Sequence, residues 1–289
     1  MNDGGADMNG RPSPGPWYAL PLILFFGIFF AAPITIVAWY SLMPPRTFEL
    51  TGALTLANYR TILTDGYGRP LMWSLIGAVL TTIVCVLLAW PTAKAMARHL
   101  GRWASVVTVL IALPIFISES VRLFGLSVFM MPRGGILAGS LYACCGIEVG
   151  SVLNTRIGAL LGMIYIHFPF MLFPLLLGIE MIPRDRIEAA RDLGAGGWAV
   201  FREVELPLAM PGLLIGVLLT FVLALGANAE AAILGGRAVT VITAAIDQRF
   251  NYAQDWPSGS ALTILVIAAT VAFVVPILTR INLAQLARR

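Results

Sequence analysis

Long apolar runs separated by short polar connections set the organisation of this chain. They occupy about Trp17 to Tyr40, Leu71 to Ala95, Ser105 to Leu126, Ile157 to Met181, Leu213 to Leu234 and Ser260 to Leu283. Each is close to the roughly 20 residues a helix needs to cross a hydrocarbon core of about 30 Å. A helix also satisfies its own backbone hydrogen bonds, which lipid cannot do. The pattern predicts an all-α membrane protein with six transmembrane helices. Pro169 and Pro174 predict bends inside the fourth run.

The polar segments orient these spans. Residues 1–16 are rich in Gly, Pro, Asn and Asp and are expected to be a disordered cytoplasmic N-terminus, followed by one six-span domain over 17–289. The first run is too long for the core of a cleaved signal and lacks a basic start, so it reads as an anchor. Trp17, Tyr18, Trp39 and Tyr40 mark its two ends, where amphipathic rings favour the interface. Lys94, Arg98 and Arg102 have no acidic neighbour in sequence, which places the loop after the second run in the cytoplasm. Arg280, Arg288 and Arg289 do the same for the C-terminus, so both termini are predicted to be cytoplasmic. Met130 to Thr155, with Arg133 and Glu148, reads as an external loop with room for a short helix. The connection holding Asp247, Arg249 and Asp255 reads as external too.

One polar stretch between apolar runs is unusually long, from Ile182 to Gly212. Pro183 suits the first turn of a helix, with Asp185 and Glu188 near its positive end. Gly194 suits a left-handed stop and Gly196-Gly197 a sharp turn. A second short helix is expected through Trp198, Val200, Phe201 and Val204, interrupted at Pro207 and Pro211. Small Ala189 and Ala190 would let another surface approach the first helix closely.

Composition narrows the function. The chain is 58% hydrophobic and only 12% charged, with a mean hydropathy of +0.85, which excludes an ordinary soluble domain. A net charge of +4 with scattered Arg residues gives no support to nucleic-acid binding. Cys85, Cys144 and Cys145 have neither disulfide-framework nor metal-site spacing, so no metal or cofactor is expected in this chain. Lys94, the only lysine, follows Pro91-Thr92-Ala93 rather than the glycine-rich turn that cradles nucleotide phosphates. The chain therefore lacks a P-loop. Catalytic signatures such as HExxH or Gly-x-Ser-x-Gly are missing as well, which argues against an enzyme.

The spacing Glu188-Ala189-Ala190, then Gly194, then Val204-x-Leu206-Pro207 resembles the EAA loop of ABC importer permeases, with Val204 where that family usually has Ile. Leu56-x-Asn58-Tyr59 before the second span, Val121-Arg122, Leu234-Gly235-Gly236 and Asp255-Trp256-Pro257-x-Gly259 resemble the polyamine (spermidine/putrescine) branch of that family. The resemblance implies a type I importer permease in the cytoplasmic (inner) membrane of a bacterium. Glu188, Ala189, Ala190, Gly194, Leu206 and Pro207 would form a coupling loop that docks on an ATPase. The implied partners are a dimer of ATPase subunits holding ATP and Mg, a second homologous permease, and a periplasmic or extracellular solute-binding protein, all around a lipid bilayer.

Ionisable residues inside apolar spans are candidates for the solute path, because burying charge in lipid costs several kcal/mol. Glu119 and Arg122 share a helical face and either neutralise one another or line the outer path. His167, just before Pro169, is either satisfied by a neighbouring helix or a path residue. The fifth span ends in Gly226-Ala227-Asn228-Ala229-Glu230, and Ala227 stands where the polyamine branch often has an acidic residue. Glu230 supplies a carboxylate on roughly the same face, either reaching interfacial water or lining the path; Asn228 lies nearby but points away. The competing readings are a permease for another small organic or inorganic solute, and an ion-driven secondary transporter. The latter would show paired halves with broken helices at mid-membrane, and no matching halves are found.

Overall fold

The computed structural model describes residues 20–49, 51–64, 66–132, 135–145 and 152–280. The expected N-terminal disorder, Arg133 and Glu148, and Arg288 and Arg289 lie outside the described residues. Every regular element among those described is helical. Five helices are long and apolar enough to cross a membrane: Leu20–Tyr40, Gly68–Arg98, Arg156–Glu180, Gly197–Leu225 and Trp256–Thr279. A bent pair, Trp103–Phe116 and Glu119–Phe129, passes the same test only when its two helices are taken together, as a broken span or a re-entrant loop. They are called the first to sixth spans in chain order, the bent pair being third.

The second, fourth and fifth spans form the core. Cys85, Ala89, Ala93 and Met96 of the second meet Met171, Leu172, Leu175 and Ile179 of the fourth and Ala209 of the fifth. Lipid tails are as apolar as these side chains, so association rests on close packing rather than on escape from water. Gly178 and Gly212 make that packing possible. A Cβ on Gly212 would lie 2.9 Å from the Gly178 Cα and would also strike the Pro174 carbonyl. The fourth span continues through Pro169 and Pro174. At 1.5 Å per residue its 25 residues extend about 37 Å, enough to cross the core.

Contacts at the helix ends define two faces. At one, Arg98 of the second span reaches the end of the fourth. At the other, the Arg156 guanidinium lies 4.0 Å from the Trp73 ring centroid, and Tyr40 and Trp256 rings pair at 6.2 Å. The segment after the first span is pinned at this second face. Asn58, fully buried, donates through Nδ2 to the Ser41 and Met43 carbonyls at 3.0 and 2.7 Å, and the Tyr59 hydroxyl donates to Ser41 Oγ. Ser258 Oγ donates to Asn58 Oδ1, which ties this segment to the sixth span. Thus the Leu56-to-Tyr59 motif is a backbone anchor.

Four boundaries differ from the hydropathy reading, each for a local reason. The sixth span begins at Trp256 rather than Ser260, because Asp255 Oδ1 accepts from the Ser258 N–H as a helix cap. The third span is not one helix. After Pro114 the chain tightens into a short 3-10 turn, Ile117 and Ser118 take extended conformations, and the helix restarts at Glu119 bent by 106°. The expected second short helix is not interrupted at Pro207 and Pro211; it is continuous with the fifth span from Gly197. A π-helical stretch, Val200–Glu205, precedes Pro207, and the Leu206 N–H reaches back to the Phe201 carbonyl. That wider turn accommodates a residue with no N–H and a bulky ring. Finally, the fifth span stops at Leu225 and not Leu234. Gly226 to Asn228 break it, and a single π turn, Ala231–Gly235, follows.

Candidate functional site

The Arg184–Asp192 helix is entered from Pro183, which is extended (ψ 134°) and stands as the N-cap, one position before the expected first turn. Its end is a Schellman motif. Gly194 has φ +84°, its N–H donates to the Arg191 carbonyl at 2.8 Å, and the Ala195 N–H donates to the Ala190 carbonyl at 3.0 Å. These bonds satisfy carbonyls that the helix end would otherwise orphan, and they require a residue that tolerates positive φ.

This short helix has two unlike faces. Ile187 is buried and, with Ala190 and Ala195, packs on the core between the spans. Glu188, Ala189, Arg191 and Asp192 are exposed, as are Leu193 (88%) and Trp198 (72%) just beyond. Of the two alanines expected to admit a second surface, only Ala189 faces outward. Ala190 is small because the helix must lie close on its own protein. Leu206 is half-buried and Pro207 exposed at the start of the regular part of the fifth span.

Three residues of the second span grip this loop, and none was legible as a site residue. Trp90, Lys94 and Arg98 recur at i, i+4 and i+8, hence on one face. The Trp90 ring stands edge-on to Phe201 at 5.1 Å. Lys94 Nζ lies 2.7 Å from Glu205 Oε2, and the Glu205 side chain is only 7% exposed. Arg98 Nη2 donates to the Ile182 carbonyl at 2.9 Å and the Ile179 carbonyl at 3.4 Å, where the fourth span gives way to the loop. The repeat of Lys94 and Arg98 was visible in the sequence. Its partners, far along the chain, were not.

A second group of polar residues lies toward the opposite face. His167 and Glu230 are buried, 5% and 1% exposed. Glu230 sits against Gly162, where an added Cβ would be 3.6 Å from the Glu230 Cβ. Gly162 is about 9 Å along the fourth span from Arg156, and Glu230 is enclosed at that level. His167 Nδ1 pairs with the Met163 carbonyl at 2.7 Å, and a carbonyl can only accept, so Nδ1 carries a proton. In the neutral ring Nε2 is then an acceptor, and it faces Glu230 Oε1 at 3.7 Å, beyond hydrogen-bond range. Both Glu230 oxygens and Arg122 Nε are buried without hydrogen-bond partners among the described residues.

The helix carrying Glu119 and Arg122 borders this group, since its Leu123 packs with Ile166 and Leu234. Glu119 is exposed and makes no ion pair with Arg122 among the described residues, so mutual neutralisation does not account for them. Asn228 is exposed and lies apart from Glu230, in keeping with its expected direction. The structure thus brings His167, Glu230 and Arg122 to one region, with Glu119 at its edge.

Long apolar helices around a charged loop with an outward face define a multi-span membrane protein. The chain belongs to the family of binding-protein-dependent transport system inner membrane components, whose model matches residues 86–287. It is 33% identical over 225 residues to the spermidine/putrescine transport system permease protein PotB of Haemophilus influenzae, covering 76% of this chain and 78% of that protein. The PotB of Escherichia coli K12 is 31% identical over 210 residues, 73% of this chain and 76% of that one. The molybdenum transport system permease protein ModB of Azotobacter vinelandii is 31% identical over 189 residues, 63% of this chain and 82% of that protein. The fold is shared with a chain of a bacterial alginate ABC transporter solved with an alginate pentasaccharide-bound periplasmic protein. That chain is 18% identical, with a TM-score of 0.74 over 91% of this chain and 93% of its own. The resemblance to ABC importer permeases read from the sequence is borne out.

Proposed function

We propose that this permease carries a polyamine such as spermidine or putrescine inward, driven by separate ATPase subunits that dock on the Arg184–Asp192 loop. ATP and Mg belong to those subunits, and a second, homologous permease completes the path. A solute-binding protein delivers the solute from the outside. The loop and both chain termini are cytoplasmic, and the Trp73–Arg156 face is external. Glu188, Ala189 and Gly194 present the docking surface, while Leu206 and Pro207 join it to the fifth span.

One observation supports the choice of a cation. Glu230 is buried with both carboxylate oxygens lacking donors, and the His167 nitrogen facing it has no proton to give when the ring is neutral. With Glu230 ionised, two acceptors in one buried site call for a ligand that brings N–H groups. An ammonium group of a polyamine does so, and two or more along a flexible chain let it move from site to site. A buried unpaired charge costs several kcal/mol, and a passing cation offsets that cost only while it is there. The PotB relatives support the same choice.

A second reading has its own observation. Arg122 Nε is also buried without an acceptor, and a relative of similar identity is named for molybdenum, so an anionic solute would find a partner there. Uptake by the complete importer in proteoliposomes decides between them. Labelled spermidine should enter in an ATP- and binding-protein-dependent manner and molybdate should not. Uptake of molybdate alone would establish the anion reading in its place.

A further inference from the structure

We infer that the second span, through Lys94 and Arg98, is a receiver of the loop's motion and not merely a neighbour of it. The loop is covalently joined only to the fourth and fifth spans, and its junction with the fifth is mechanically soft. The π-helical stretch Val200–Glu205 has replaced the regular i-to-i−4 ladder. Pro207 contributes no N–H to it. Displacement of the Arg184–Asp192 helix would be absorbed at such a joint unless something braced it.

The second span braces both ends at once. Arg98 holds the entrance through the Ile179 and Ile182 carbonyls. Lys94 holds the exit through Glu205 at the last residue of the soft stretch, with Trp90 against Phe201 beside it. All three project from one face of one helix, Gly68–Arg98, which continues through Pro91 between Trp90 and Lys94. That same helix packs along the fourth span through Cys85 and Ala89 and carries Trp73 at the other face. A tilt of the loop is therefore passed to the second span through Lys94 and Arg98. Lys94, Arg98 and Glu205 are positioning residues, since the solute has no need to touch them.

The inference rests on reading 182–212 as the ATPase contact, and the test separates the two. In the complete importer, freed of native cysteines, spin labels are placed at Leu87, exposed on the second span, and at Met181, exposed where the fourth span meets the loop. The distance between them is measured without nucleotide and after vanadate trapping with ATP. Wild type is expected to keep one narrow distance in both states. Lys94→Glu and Glu205→Lys should each broaden or shift it on trapping, Lys94→Arg should not, and Lys94→Glu combined with Glu205→Lys should restore it. Stimulation of ATP hydrolysis by the spermidine-loaded binding protein should fall about 2- to 30-fold in the single variants, as for other coupling positions, with ATPase co-purification unchanged. A wild-type distance that changes on trapping, single variants that behave as wild type, or a double variant no better than the singles would overturn the inference while leaving the docking assignment standing. Loss of ATPase from wild-type complexes would overturn both.

Discussion

His167 Nε2 faces Glu230 Oε1 across 3.7 Å with no hydrogen bond between them. The pair exists because one helix stops early and another carries a glycine beside it. The fifth span ends early at Leu225, and Gly162 leaves room on the fourth for the returning chain. A Gln of equal shape would be cheaper to bury there than an ionised carboxylate.

Glu230→Gln should slow spermidine uptake by the complete importer while assembly and basal ATP hydrolysis persist. Loss of one charge-assisted contact is worth about 1.5–3 kcal/mol, or roughly 10- to 100-fold if it is made mainly in the rate-limiting state. Uptake unchanged in this variant would remove Glu230 from the path. Arg122→Gln is the control of opposite sign: it should spare cation uptake, and it should abolish uptake if the solute is an anion.

Gly194→Val should uncouple transport. The left-handed conformation at φ +84° costs an ordinary L-residue about 1–2 kcal/mol, and a β-branched one more. No neighbouring atom lies within 4 Å of a Cβ placed there, so the effect is conformational rather than steric. Gly194→Asn, which tolerates that region, should retain most activity. Measuring stimulation of ATP hydrolysis by the loaded binding protein in both variants checks this. Equal activity in the two would place the loop's geometry elsewhere.

Sidedness follows from which residues share a face. Leu193 and Tyr252 are exposed at opposite ends of the helices, 88% and 82%. Single cysteines at these positions, in a background lacking Cys85, Cys144 and Cys145, should label from the cytoplasmic and external sides respectively with a membrane-impermeant maleimide. Labelling of both from one side would contradict the six-span topology.

What could be read from the sequence was what is local. The Gly194 stop depends on a few adjacent residues, so its signal survives in spacing alone, and the Schellman bonds appear where the glycine implied them. Hydropathy also located the five long apolar helices and the apolar run of the bent pair. It did not locate the bend at Ile117-Ser118, because apolar residues continue on both sides of the break and a windowed average is blind to backbone direction. The early end at Gly226 was missed for the same reason. Ala189 and Ala190 looked equivalent, and only packing of Ile187 and Ala190 on the core separates them. Lys94 and Glu205 lie 111 residues apart; no periodicity joins them, so their pairing had to be seen in three dimensions.

The claim at the centre of this account is that the outward face of the Arg184–Asp192 helix meets the ATPase. Photo-crosslinking amino acids at Ala189, which is exposed, and at Ile187, which is buried, test it most directly in the assembled importer. The account predicts an ATP-modulated crosslink to the ATPase subunit from Ala189, and capture only within the permease from Ile187. No ATPase adduct from Ala189, or equal adducts from both positions, would contradict it.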